Sequence, residues 1–207
     1  MKLRTRIILL CAAALLGIVV LAVVSLSTLR QTMIKERTKQ LTTLVTLATA
    51  ALEGLHAQET AGELTRDQAQ KEGKKLLGSL RKDELYFFVR GYTDDVSLVH
   101  PDAKRIGIVD PKGGKEAGVR YRAALEGKTI ATPQGYGARP GAEEKVLKLY
   151  AITRFGPWDW IVGFGDYIDD IDTAFWRAAA ILLGIGAALM LVVGLMAWRM
   201  ARTLYGQ

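Results

Sequence analysis

The 207-residue chain is half hydrophobic and carries a formal net charge of +7 at pH 7, with one cysteine and two histidines. Those counts exclude a disulfide framework and argue against a zinc site of the usual His/Cys kind. Nor does the charge point to nucleic acid: 23 of the 28 basic and all 21 acidic residues lie in positions 30–177, leaving most of the excess beside two apolar runs.

The first run, residues 7–29 (IILLCAAALLGIVVLAVVSLSTL), has no charge over 23 positions. At about 1.5 Å per residue it reaches roughly 30 Å as a helix, the thickness of a bilayer core. It holds the lone cysteine, Cys11, and a small-x-small triplet, Ser25-Leu26-Ser27, of the kind that follows a cleaved signal peptide. A secretory apolar region is shorter, so the expectation is an uncleaved first transmembrane helix. Beyond it, Leu41, Leu44, Ala48, Ala51, Leu52 and Leu55 recur at helical spacing, which predicts one helix continuing to about Ala57. Gly62 breaks the pattern, and Thr65-Arg66-Asp67-Gln68 reads as a capping box opening a second helix with Ala69, Leu76, Leu77 and Leu80 on its apolar face.

At Leu85 the period changes to two. Leu85–Tyr92 and Val96–Pro101 predict a hairpin around Thr93-Asp94-Asp95. The Gly-rich stretch 107–118 reads as loop and turn, VRYRAALEG as a short helix ending at Gly127, and GARPGAEE (137–144) as a turn. Three further strands are expected at Thr129–Tyr136, Val146–Thr153 and Trp158–Gly165. Strands joined by short turns imply an antiparallel sheet, with the two leading helices on one face. Asp166, Asp169, Asp170 and Asp172 follow. They lack the spacing and closing Glu of a calcium loop and read as capping chemistry for a helix starting near Asp169. That helix runs into the second uncharged run, residues 178–198.

Lys2, Arg4 and Arg6 precede the first run, and Arg199 and Arg202 follow the second. The positive-inside rule then predicts a two-pass inner-membrane protein, with residues 1–6 and 199–207 cytoplasmic and 30–177 extracytoplasmic, or periplasmic. Ala180, Gly184 and Ala188, with Ala13 and Gly17, offer small residues for close helix approach and suggest a homodimer. Catalytic chemistry is sparse. Gly127-Lys128-Thr129 copies the tail of a phosphate loop, but Arg122 stands where the first glycine belongs and a helix precedes it. Pro111–Lys115 is a glycine turn with two lysines. No cofactor and no enzymatic activity are expected.

Tyr86-Phe87-Phe88-Val89, His100-Pro101, Tyr136 before a Pro-Gly turn, Lys148, and the string from Pro157 to Asp172 (PWDWIVGFGDYIDDID) together carry a resemblance. The segment from about Arg66 to Asp172 resembles the single-Cache sensory domains of bacterial methyl-accepting chemotaxis proteins. The final string is the specific part, whereas His-Pro alone is weak. The resemblance implies an α+β fold, a long helix packed on an antiparallel PAS-like sheet between two transmembrane helices. It also implies a pocket on one side of the sheet, often for short organic acids such as acetate, propionate, lactate or pyruvate.

Three departures stand out. Arg90-Gly91 replaces an acidic or Asn residue of many members. Lys-Leu-Tyr-Ala (148–151) puts Tyr150 one place early, which in a strand is the opposite face, so Tyr150 is left out of the candidate set. The chain stops at Met200–Gln207, where the family's cytoplasmic HAMP and signalling domains begin, so that output is expected to be missing.

The residues independently allow an anion. Arg90, His100 and Lys148 are basic positions on or at the ends of neighbouring strands, interleaved with Tyr86, Phe88 and Tyr136. Those six form the candidate ligand site, with Lys148 on the carboxylate and Tyr86, Phe88 and Tyr136 around its carbon chain. Two rival readings stay open: the same sensor attached to a histidine kinase or cyclase, and a membrane-tethered extracytoplasmic binding, assembly or enzymatic protein.

Overall fold

A computed structural model describes residues 3–111, 114–139, 142 and 144–205. Helix α1 runs Leu3–Thr60 and α2 Arg66–Ser79, followed by strands β1 (Arg81–Lys82), β2 (Leu85–Gly91) and β3 (Ser97–Val99). Helix α3 spans Gly114–Leu125, then come β4 (Ile130–Ala131), β5 (Gln134–Ala138), β6 (Lys145–Phe155), β7 (Trp160–Tyr167) and α4 (Asp169–Tyr205). The contacts divide the chain into two compact units, residues 1–34 with 170–207, and residues 35–169.

In the first unit, α1 and α4 each carry a stretch long and apolar enough to cross a membrane. Their large side chains are unburied: Leu21, Leu183 and Leu191 are each about 70% exposed or more. An uncovered apolar surface of that length is stable only in lipid or against another apolar surface. Arg30 donates to Asp172 at 3.1–3.2 Å, tying α1 to the first turn of α4.

The second unit is built on an antiparallel sheet ordered β1-β2-β7-β6-β4, with β3 also on β2 and β5 on β6. Its three long strands, β2, β7 and β6, are central. Side-chain alternation gives the sheet two distinct faces. One face presents Phe87, Val89, Val162, Phe164, Leu149 and Ala151, all buried, with Arg37 of α1 paired to Asp166 of β7 on the same side. Leu41, Val45, Ala48 and Leu52 give α1 a buried stripe here, and Ala69 and Leu77 do the same for α2. Trp158 closes the far end, donating from Nε1 to Glu59 at 2.6 Å and stacking edge-on with Phe155 and Trp160. The other face is covered by α3, where Tyr121 and Leu125 pack with Ala131, Ile152 and Ile161.

Local signals explain most boundaries. Thr65 caps α2 in a full capping box with Gln68, and Gly62, at φ +78°, ends the run of α1; with no breaker before it, α1 passes Ala57 and reaches Thr60. Three expectations shift. The strand expected at Thr129–Tyr136 is split into β4 and β5, because Pro133 has no N–H for a ladder; its carbonyl instead accepts from Tyr150 N at 3.0 Å. The strand expected from Trp158 starts at Trp160, since Gly156–Trp158 form a 3₁₀ turn closed by Asp159 in the left-handed region, φ 56°. Helix α3 also starts at Gly114, ahead of Val119. Pro140, Gly141 and Glu143 of the expected turn lie outside the described residues, as does Lys2.

The aspartates at the end of β7 do more than cap. Asp170 accepts from Ile171 N at 2.9 Å, but Asp166, Asp169 and Asp172 each take an arginine: Arg37, Arg139 and Arg30. The expected α4 start at Asp169 stands.

Candidate ligand-binding site

The cleft lies on the α3 face of the sheet. Its floor comes from alternate positions of the three central strands: Tyr86 and Phe88 on β2, Lys148 and Tyr150 on β6, and Tyr167 on β7. Register puts Tyr86 opposite Gly165, Tyr150 opposite Gly165, and Lys148 opposite Tyr167. Gly163 and Gly165 therefore sit beneath the rings. A Cβ at Gly165 would come within 2.7 Å of both Lys148 Cε and Tyr150 Cδ1, and one at Gly163 would collide with the Phe88 ring. The glycines of the GFG string are the space that lets these side chains lie across the sheet.

Lys148 is 2% exposed. Its Nζ lies 4.3 Å from the Tyr86 ring centre, 4.4 Å from that of Tyr167 and 5.8 Å from that of Tyr150. It has no hydrogen-bond or ion-pair partner among the described residues. Burial pushes its pKa down from 10.5 to about 8, with Asp166 and Glu84 pulling it back up and Arg105 and Arg139 adding to the fall. An ammonium held by aromatic faces and lacking an anion is poised to accept one.

His100 lies edge-on to Tyr86 at 5.5 Å. Its Nδ1 accepts from Asp102 N at 3.0 Å, which leaves Nε2 as the protonated nitrogen. Burial, then the charge of Arg105, depress its pKa to about 4. His100 is thus a neutral donor and not the second cation expected from the sequence. Arg90 is also drawn off. Its Nη2 donates to Asp95 O and Oδ1 at 3.1 Å and to Gly114 O at 2.6 Å. Asp95 is shared with Arg122 at 2.8 and 3.1 Å, so this cluster pins the β2–β3 turn to α3. Gly118 makes that approach possible, because any Cβ there would overlap the Asp95 carboxylate.

All six expected residues, Tyr86, Phe88, Arg90, His100, Tyr136 and Lys148, are among those that line the cleft. Tyr136 differs from the others in its setting. It pairs with Leu147, while Lys148 pairs with Gly135, so by strand alternation its side chain lies on the face away from Lys148, and it is 68% exposed. Tyr150, left out above, joins the lining. It is two residues from Lys148 and so on the same face, with its ring 6.0 Å from Phe88 and 5.8 Å from Tyr121. The alternation of 148/150 and of 163/165/167 was a sufficient signal for Tyr150 and Tyr167. Tyr121 from α3 and Arg105 from the 3₁₀ turn 103–105 had none. Burial raises the pKa of the Tyr86, Tyr121, Tyr150 and Tyr167 hydroxyls, which stay protonated donors.

An antiparallel PAS-like sheet with α1 and α2 on one face and, among the described residues, a cationic, ring-lined cleft on the other is the architecture of a sensor domain. The chain belongs to the Single Cache domain 2 family, matched over residues 33–180. It is 32% identical over 215 aligned residues to the methyl-accepting chemotaxis protein McpP of Pseudomonas putida, covering 99% of this chain and 39% of McpP. It is 29% identical over 171 residues to the sensor histidine kinase MctS of Rhizobium johnstonii, covering 79% of this chain and 35% of that protein. The chain therefore spans under two-fifths of the length of these relatives. Among solved structures, a Cache chemosensory domain described for carboxylic acid recognition superposes with a TM-score of 0.58 at 28% identity, over 67% of this chain and 97% of that one.

Proposed function

We propose that residues 30–177 form an extracytoplasmic sensor that binds a short organic acid of the acetate, propionate, lactate or pyruvate type. The observation that carries this reading is Lys148: a buried ammonium without an anionic partner among the described residues, ringed by tyrosines at the floor of the cleft. The carboxylic acid recognition described for the similar solved domain supports the same ligand class. On this reading the carboxylate meets Lys148, with the His100 Nε2–H and tyrosine hydroxyls in reach as further donors, and the carbon chain lies over Tyr86 and Phe88. The domain acts by binding and performs no chemistry on its ligand.

Binding would be transmitted along β7 into α4, and a shift on the order of 1–2 Å is the scale of such helix movements. On this reading the sensor lies between two membrane crossings, with both termini cytoplasmic by the positive-inside rule and two copies side by side. An output of the chemotaxis kind agrees with the McpP match and a kinase with the MctS match. Calorimetry of the full chain in lipid nanodiscs against the four acids tests the ligand class; no heat with any of them rejects it. Cysteines scanned along residues 33–55 should cross-link with helical periodicity if the chain pairs with a second copy.

A further inference from the structure

The aromatic floor of the cleft carries two cations on one ring. Lys148 Nζ lies 4.4 Å from the centre of the Tyr167 ring and Arg139 Cζ lies 4.6 Å from it, so the two charges are at most about 9 Å apart. Arg139 also adds to the fall in the Lys148 pKa, the effect of a like charge close by. It follows the last residue of β5 and lines the cleft. Its Nε donates to Glu84, in the β1–β2 turn, at 2.6 Å. Its Nη2 donates to both carboxylate oxygens of Asp169, the first residue of α4, at 2.8 Å. The Tyr167 hydroxyl donates to Ala138 O at 2.7 Å, which ties the ring to the residue just before Arg139. All of these groups belong to the 35–169 unit. Glu84 and Asp169 are half exposed, so their ion pairs add little stability. What three contacts and a ring fix is the position of one guanidinium.

We infer that Arg139 is the positioning residue that couples the cleft to α4: a ligand carboxylate on Lys148 neutralises the competing charge on the Tyr167 ring, and Arg139 then holds Asp169, and with it the first turn of α4, more tightly. This deepens the carboxylate reading above and rests on it for the ligand. Two cations drawn to one ring repel each other while sharing its quadrupole. In the empty site Lys148 therefore works against Arg139. At about 9 Å that opposition is worth roughly two- to twentyfold in an equilibrium constant, between the screening of bulk water and that near a protein surface. Once a carboxylate pairs with Lys148 the opposition falls away, and the fork of Arg139 is free to settle on Tyr167, Glu84 and Asp169 together.

The test is hydrogen–deuterium exchange of the full chain in lipid nanodiscs at pH 7. It is read at the amides of residues 173–176, whose acceptors within α4 are the carbonyls of residues 169–172. Two perturbations neutralise the Lys148 charge: the substitution Lys148→Met, and saturation with acetate, propionate, lactate or pyruvate. Each should slow exchange at these amides about two- to twentyfold when Arg139 is present. In Arg139→Met neither should change it. Arg139→Lys keeps a charge but not the planar fork that reaches Glu84 and Asp169 together, and should restore part of the response. Far-UV circular dichroism checks the fold of each variant, and Arg139→Gln replaces Arg139→Met if the latter does not fold. A Lys148→Met effect of equal size with and without Arg139 overturns the inference, since the movement then runs through the β7 backbone alone. No effect of Lys148→Met at these amides also overturns it. A response to an acid that survives in Arg139→Met overturns the inference and leaves the carboxylate reading standing. An Arg139-dependent effect of Lys148→Met with no response to any of the four acids upholds the coupling and rejects only the carboxylate reading.

Discussion

Replacing Lys148 by methionine should stabilise the empty protein and weaken its response to ligand. The side chain is 2% exposed, and burial brings its pKa from 10.5 to about 8. Keeping that ammonium charged costs the fold roughly 3 kcal/mol at neutral pH. Cation–π contacts with Tyr86 and Tyr167, at 4.3 and 4.4 Å, return about 0.5–1 kcal/mol each. The net penalty is then about 1–2 kcal/mol, and methionine fills nearly the same volume without it. For a chain of this size that corresponds to a rise in Tm of about 2–8 °C. The bound state should lose a charge-assisted hydrogen bond of about 1.5–3 kcal/mol, or about 10- to 150-fold in affinity. The pH dependence has a definite sign. Between pH 8 and 10.5 the unfolded lysine holds a proton that the folded one has lost, so wild-type stability should rise with pH across that window, and the Lys148→Met curve should be flat by comparison. Ligand affinity should fall by up to tenfold per pH unit above about 8, as the free site loses the charge it offers. Differential scanning calorimetry with and without ligand measures all of this. A lower Tm in the empty variant, together with a retained ligand-induced shift, would show that Lys148 is a structural side chain and refute the argument.

Asp95→Ala should lower stability by about 3–5 kcal/mol, since it strands the buried Arg90 beside Arg122; chemical denaturation monitored by tryptophan fluorescence reads this directly. His100, held neutral with its pKa near 4 instead of 6.5, takes up its proton first in the unfolded chain. Stability should therefore be lost as pH falls from about 6.5 to 4, and His100→Gln should flatten that limb of a Tm-versus-pH curve. Gly165→Ala places a methyl against Lys148 and Tyr150; ligand affinity measured by calorimetry should drop at least tenfold while far-UV circular dichroism is preserved, and unchanged affinity would mean the rings are free to move aside.

Much of the scaffold was legible because it is set by short-range rules. The two uncharged runs follow from length and composition, the α2 start from Thr65 and Gln68, and two of the central strands, to within two residues at each end, from the period-two pattern of Leu85–Tyr92 and Trp158–Gly165. Phe88 and Lys148 could be placed on cleft-facing positions by the same alternation, and applying it consistently would have added Tyr150 and Tyr167. Tertiary structure decided the rest. Tyr136 reads as sharing a face with Lys148, but pairing of β5 with β6 sets Gly135, not Tyr136, beside Lys148; register between strands is a non-local property that a single strand's pattern does not contain. Arg90 and His100 read as free cations, but the fold gives Arg90 to Asp95 and, through burial and Asp102, keeps His100 neutral. Protonation and pairing depend on which groups the chain brings within a few ångströms, and those come from a turn, a loop and a helix far apart in sequence. Arg105 and Tyr121 entered the cleft by that route alone.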